Sequence, residues 1–467
     1  MLFTQALFLV FFAAVFALHW SLRAARARKL VLLVASYAFY ASWDARFLPL
    51  LWLTSATGYG CGLAMGRQPE RARRRPWLLV AVVVDLGILG FFKYHDFFRR
   101  SALELLGWLG LHASASTLDV VLPVGISFTT FQALGYAFDV YRGKLAPARD
   151  ALDFALFVAF FPQVLAGPIS RGGELLPQLA EPRRLAAHVP VRAALLGFLA
   201  GFVKKACVAD TLATLVDPVF AEPAAHSRAA AWLAVALYHV QIYCDFAGYS
   251  DMAVASAALL GYRLPRNFEL PYLARSIGEF WRRWHVTLST WMRDYLYLPL
   301  VGKRPSSARR VGALLVTMGL CGLWHGAGWA FVGFGVLHGV YLVVEDLWRR
   351  SALARTTVSL RFLAWPLTTL VVLLTWPVFR LREFAQARAL YGLLFGVEGG
   401  GSGELALGWL AVVALFYGAQ RALATHALAE RCARAPAWAF ALAYGFAWSQ
   451  VLPWVAAKTT PFLYSRF

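Results

Sequence analysis

Residues 311–344, VGALLVTMGLCGLWHGAGWAFVGFGVLHGVYLVV, form an apolar run closed at each end by an arginine pair, Arg309-Arg310 and Arg349-Arg350. Basic residues flanking apolar stretches mark the cytoplasmic side of a membrane, so the run reads as a helical hairpin with both ends cytoplasmic. His325-Gly326-Ala327-Gly328 supplies the break, because glycine loosens a helix. At 1.5 Å per residue, the stretch from Arg310 to His325 covers about 22 Å of a hydrocarbon core roughly 30 Å thick. His325 is thereby placed deep, past the midplane.

The rest of the chain repeats this pattern. Of its 467 residues 60% are hydrophobic and 15% charged, with a mean hydropathy of +0.58, which is more apolar surface than a water-soluble fold uses. Apolar stretches recur at residues 2–18, 76–92, 229–243, 364–379 and 405–417. The first has no basic segment ahead of it and is followed by Arg23, Arg26, Arg28 and Lys29, so it reads as a retained span, not a cleaved signal peptide. The net charge of +20 falls in short blocks between apolar stretches, the signature of positive cytoplasmic loops and not of a nucleic-acid-binding face. Five cysteines (Cys61, Cys207, Cys244, Cys321, Cys432) include no CxxC pair, and neither a disulfide framework nor a zinc site is expected.

Following the basic blocks gives a topology. Arg23 to Lys29 and Arg67 to Arg75 bracket residues 30–66, enough for two spans around the Trp43-Asp44 turn. Residues 76–98 and 120–141 then cross out and back. The run Phe160-Phe161-Pro162-Gln163-Val164-Leu165-Ala166-Gly167-Pro168-Ile169 holds two prolines, which remove backbone donors. It is open to two readings, a simple kink or a re-entrant element against a functional cavity. Residues 261–310 hold ten lysines and arginines against Glu269, Glu279 and Asp294, interleaved with aromatic and aliphatic residues, the composition of an interfacial segment. Within it Trp281, Trp284, His285, Leu288, Trp291, Met292 and Tyr295 recur at helical spacing and predict one helix from Ser276 to about Leu296. The count places Arg380, Arg382 and Arg388 on the external side, against the rule that produced it. The expectation is an all-α polytopic membrane protein of about eleven transmembrane helices plus re-entrant and interfacial helices, with residues 1–467 as a single integral membrane domain.

Ionisable residues at membrane depth are costly and mark functional sites. His325 is the first candidate, since an imidazole can take a proton near neutral pH. His285 is the second, sharing a protein-facing side with Trp281, Leu288, Ser289 and Met292. Each is also readable as a satisfied core group. Asp245, Ser250 and Asp251 either orient such a residue or satisfy one another. Cys321, one helical turn before His325, could put a thiol or a metal beside it, but no third or fourth ligand lies at compatible spacing, so no metal is expected.

Two long motifs, Glu279-Phe280-Trp281-Arg282-Arg283-Trp284-His285-Val286-Thr287-Leu288-Ser289-Thr290-Trp291-Met292-Arg293-Asp294-Tyr295-Leu296-Tyr297 and Leu323-Trp324-His325-Gly326-Ala327-Gly328-Trp329, resemble the signature of the bacterial branch of the membrane-bound O-acyltransferase family. Phe161-Pro162-Gln163, the stretch from Asp245 to Met252, Asn267 to Tyr272 and Pro461-Phe462-Leu463-Tyr464 match further, so the resemblance covers nearly the whole chain. It departs at Val301, where alginate-type members carry glycine.

The resemblance implies that His325 is the family's essential intramembrane histidine and His285 the second histidine, both beside a tunnel through a thinned core. It also implies an acyl thioester donor such as acetyl-CoA on the cytoplasmic side with no bound cofactor, a periplasmic acetyltransferase partner, and an exported polysaccharide such as alginate as final acceptor, at the bacterial inner membrane. Arg282, Arg283 and Arg293 are candidates to hold the donor's phosphates, with positive-inside anchoring as their alternative reading. An acyltransferase acting on lipid, teichoic acid or protein acceptors would use the same histidines. A membrane transporter, the rival of another class, predicts internal symmetry, which the sequence does not show.

Overall fold

The computed structural model describes residues 1–111, 120–351, 362–381, 384–397, 400–423 and 435–456. The regular structure of these residues is helical, with no strand among them and one isolated bridge between His226 and Gly403. The all-α expectation is met. Two helices, Arg71–Trp108 and Trp329–Arg350, are long and apolar enough to cross a membrane, and Ala6–Ser21, Ala364–Arg380 and Leu407–Leu423 are shorter apolar helices. Val83 on the first keeps 67% of its surface exposed and Leu7 keeps 62%, the outward apolar face that lipid covers. The motif at Pro461 to Tyr464 lies outside the described residues, as does Arg382.

The chain forms two compact units, residues 1–194 with 253–265 and residues 195–252 with 266–467. In the first, Ala25–Asp44 and Leu48–Gly66 meet at the expected turn, where the Asp44 carboxylate accepts from the Arg46 backbone N–H at 2.9 Å. Gly58 and Gly62 open the face of Leu48–Gly66 to bulky rings: a Cβ on Gly58 would stand 2.8 Å from the Phe154 ring, and one on Gly62 would collide with the Tyr136 hydroxyl. The proline-bearing run does not continue as one kinked helix. Ala151–Ala159 ends at Phe160, whose backbone leaves the helical region (φ −50°, ψ 111°), and Phe161–Val164 is a separate single turn. Buried side chains replace the lost backbone pairing: the Phe161 N–H donates to Ser36 Oγ at 3.0 Å, while Gln132 and Gln163 Nε2 both donate to the Phe157 carbonyl, at 3.0 and 2.7 Å. Broken backbone in apolar surroundings persists where protein satisfies it in this way.

In the second unit the hairpin read from residues 311–344 is present as Ser307–His325 and Trp329–Arg350. Ser306 caps the first helix by accepting from the Arg309 N–H at 3.2 Å. The two helices cross with backbones in contact, because a Cβ on Gly322 would run into the Phe331 carbonyl and one on Gly335 into that of Met318. Small residues permit this close approach in the absence of a hydrophobic drive between lipid-bathed helices. Gly322→Ala is therefore expected to destabilise by about 1–3 kcal/mol. Gly312→Ala on the same helix, with nothing near the added methyl, should be neutral or stabilise by up to about 1 kcal/mol. Thermal midpoints of the two variants in detergent separate these outcomes.

The single helix expected from Ser276 to about Leu296 is two helices, Ile277–Arg283 and Val286–Met292, followed by a π turn at Arg293–Tyr297. Trp284 is extended and His285 left-handed, with φ 43° and ψ 53°. An adjoining segment holds the break open: Val286 N–H donates to the Asn267 carbonyl and Glu269 N–H to the Arg283 carbonyl, both at 2.9 Å, and Thr287 Oγ1 donates to Asn267 Oδ1 at 2.6 Å. Backbone groups orphaned at the two helix ends thus find partners outside the helix. Periodicity missed the break because apolar residues on both sides of it face the same protein interior.

Candidate functional site

His325 is the last residue of its helix, which stops at Gly326 with φ −160° and ψ 150°. The extended backbone of Gly326 and Gly328 carries the chain to the next helix, leaving the imidazole at the tip of the hairpin. It is 3% exposed. Trp324 and Phe379 present their rings at near-right angles, with centroids 5.1 and 5.3 Å from His325, and Cys321 Sγ lies 4.0 Å from its Nε2.

His285 is fully buried, and its left-handed backbone, costly by roughly 1–2 kcal/mol for a residue with a Cβ, turns its ring toward the hairpin. The ring centroid lies 4.7 Å from Phe246, 5.8 Å from Trp324 and 6.4 Å from His325. Two histidines 40 positions apart in sequence are thus brought together, with the Trp324 ring against both. Backbone strain held in place by its surroundings at a polar, buried residue is a common mark of a working site.

Arg282, Arg283 and Arg293 have separate surroundings. Arg283 pairs with Glu279 at 2.7 Å and Arg293 with its neighbour Asp294 at 2.8 Å, while Arg282 is exposed. Among the described residues no group of three or more His, Cys, Asp or Glu side chains is placed to hold a metal ion.

The acids at 245 and 251 pair with residues that sequence reading passed over. Lys205 Nζ lies 2.6 Å from both Asp245 and Asp210, and Lys204 Nζ lies 2.6 Å from Asp251. Both lysines sit on the π turn Val203–Ala209, and the helices meet there through Gly201 and Gly248, each of whose added Cβ would stand 2.6 Å from the other's carbonyl oxygen. Two adjacent lysines inside an apolar run were a visible signal, since such charges require partners. Arg380, which the topology count placed on the external side, pairs with Asp217 at 2.8 Å. Its charge is neutralised within the protein and reports no loop orientation.

A helical membrane protein with a buried histidine pair walled by aromatic rings is the class that fold and site define. Residues 146–382 match the membrane-bound O-acyltransferase family. The chain is 41% identical to the probable alginate O-acetylase AlgI of Pseudomonas aeruginosa over 85% of its own length and 75% of that protein's. It is 34% identical to the peptidoglycan O-acetyltransferase of Helicobacter pylori over 85% of this chain and 80% of the relative. Identity to the teichoic acid D-alanyltransferase of Streptococcus thermophilus is 31% over 49% of this chain and 58% of the relative. The chain belongs to the membrane-bound O-acyltransferase family and is an acyltransferase.

Proposed function

We propose that the chain takes an acetyl group from a cytoplasmic thioester such as acetyl-CoA and passes it through the membrane for O-acetylation of an exported polysaccharide. The observation that carries this reading is the facing of His285 and His325 at 6.4 Å between aromatic walls, inside a family of O-acyltransferases whose relatives here are named for alginate and peptidoglycan acetylation. At that spacing a single oxygen between the rings is within hydrogen-bond reach of a nitrogen of each.

His325 is the base. It takes the proton of the acceptor hydroxyl as that oxygen attacks the thioester carbonyl, and it returns the proton to the departing thiolate. His285 donates to the oxyanion that forms at the carbonyl. No resident cofactor or metal enters the scheme. The aromatic walls keep water from the thioester. Arg282, with an exposed side chain, is the arginine most open to a donor's phosphates, whereas Arg283 is engaged by Glu279 and Arg293, though exposed, by Asp294. A periplasmic acetyltransferase completes delivery to the glycan. About eleven spans in a bacterial inner membrane are the setting.

The test is a deletion strain complemented with the wild type or with His285→Asn, scored by O-acetyl content of the exported polysaccharide. Asparagine tolerates the left-handed backbone, so the variant should accumulate normally while acetylation falls by about 10²-fold. Unchanged acetylation in the deletion strain itself would remove polysaccharide as the acceptor and turn the search to lipid, teichoic acid or protein.

A further inference from the structure

We propose that His338 is a positioning residue for acyl transfer, holding the short helix that leads into His285 against the hairpin partner of the helix that ends at His325. The inference rests on the catalytic reading of those two histidines.

His338 is 1% exposed, on the helix Trp329–Arg350. Trp281 Nε1–H donates to its Nδ1 at 3.2 Å. Indole nitrogen donates and never accepts, so Nδ1 is the acceptor and the neutral ring carries its proton on Nε2. This fixes both the tautomer and the plane of the imidazole. Phe280 lies nearly parallel to that plane, at 15° and 6.2 Å, and Phe334 approaches it at 4.6 Å.

From this ring two short paths lead to the site. Trp281 and Phe280 belong to Ile277–Arg283, whose next two residues are Trp284 and His285, so fixing that helix fixes the point at which the backbone turns left-handed. In the other direction Phe334 meets Phe379 at 5.0 Å, and Phe379 meets His325 at 5.3 Å. Phe334 and His338 are four residues apart on one helix face. The hydrogen bond therefore ties the helix that leads into His285 to the hairpin partner of the helix that ends at His325. A shift of about 1 Å in such a pair can cost roughly 100-fold in rate.

Other buried groups carry less. His239 Nε2 is matched with Tyr417 Oη at 2.9 Å and its ring stacks on Tyr272 at 3.6 Å, an arrangement that anchors the Leu410–Leu423 helix, with Tyr272 and not the imidazole packed on Trp284.

The experiment places His338→Ala, His338→Asn, Trp281→Phe, the double variant Trp281→Phe/His338→Ala and His325→Ala in the complemented deletion strain. It reads O-acetyl content of exported polysaccharide at matched protein level. His338→Ala and Trp281→Phe should each reduce acetylation by about tenfold or more. The double variant should fall no further, because one bond has been removed twice. Asparagine offers its Oδ1 where Nδ1 stood, so His338→Asn should recover most of the loss. If alanine at 338 prevents accumulation, the asparagine and Trp281→Phe variants still decide the matter. Trp281→Phe at wild-type level, or His338→Asn no better than alanine, overturns the proposal while His325→Ala remains inactive. Should His325→Ala itself acetylate normally, the catalytic reading falls and the positioning role falls with it.

Discussion

Replacing Lys205 with alanine should destabilise the protein by roughly 3–5 kcal/mol and deplete it from the membrane fraction, because removing one partner of a buried ion pair strands the other. Lys205 and Asp245 are each 3% exposed, and Asp210 shares the same ammonium at 2.6 Å. Alanine leaves two carboxylates facing a vacated cation position. Adding Asp245→Asn to Lys205→Ala removes one of the two, so the double variant should be more stable than the single, a non-additivity that a double-mutant cycle measures directly. Thermal midpoints in detergent and immunoblots of membranes report the effect. Equal loss in the single and double variants would mean that the cluster's charges do not act together.

Its position explains why the cost matters for activity. The lysines stand where the π turn Val203–Ala209 meets Arg228–Leu259, and the latter helix presents Phe246, one residue past Asp245, to the His285 ring at 4.7 Å. Lys204 lies 5.9 Å from the centroid of Tyr243, whose ring in turn meets Trp284 at 6.3 Å. Ion pairs and aromatic packing thus set one side of the site.

The hairpin and the histidine at its break were legible in the sequence because three independent signals coincide there: arginine pairs at both ends, apolar length, and glycines at the break. The Trp43-Asp44 turn was legible for the same reason. The break at Trp284-His285 was not, because it depends on Asn267 and Glu269 supplying backbone partners from another segment, and a 3.6-residue period carries no trace of a bond made elsewhere. Topology counting failed at Arg380 for a related reason: the rule assumes solvated loop charge, and Asp217 neutralises this one within the protein. Asp245 and Asp251 were noticed without their lysines, since attention to apolar runs passed over charges embedded in one. His325 stood out by its depth in the apolar run and His285 by its protein-facing side, and motif resemblance joined the two; depth and face alone left each of them readable as a core residue.

His325→Ala is expected to have the largest effect on turnover. A positioned base contributes about 10²–10⁴-fold to a proton-transfer step, and alanine leaves nothing in the space between Trp324, Phe379 and Cys321 that can take a proton from a hydroxyl near neutral pH. Cys321, 4.0 Å from His325 Nε2, stays in place, but a buried thiol does not substitute for imidazole as base. Folding should survive, because His325 closes a helix whose crossing with its partner is set by Gly322 and Gly335, and normal accumulation is part of the expectation. The deciding measurement is NMR of O-acetyl groups on the exported polysaccharide from the deletion strain carrying wild type or His325→Ala at equal protein level. Acetyl signal at the deletion-strain baseline is the predicted result; acetylation at the wild-type level from His325→Ala would contradict the assignment of this histidine as the base.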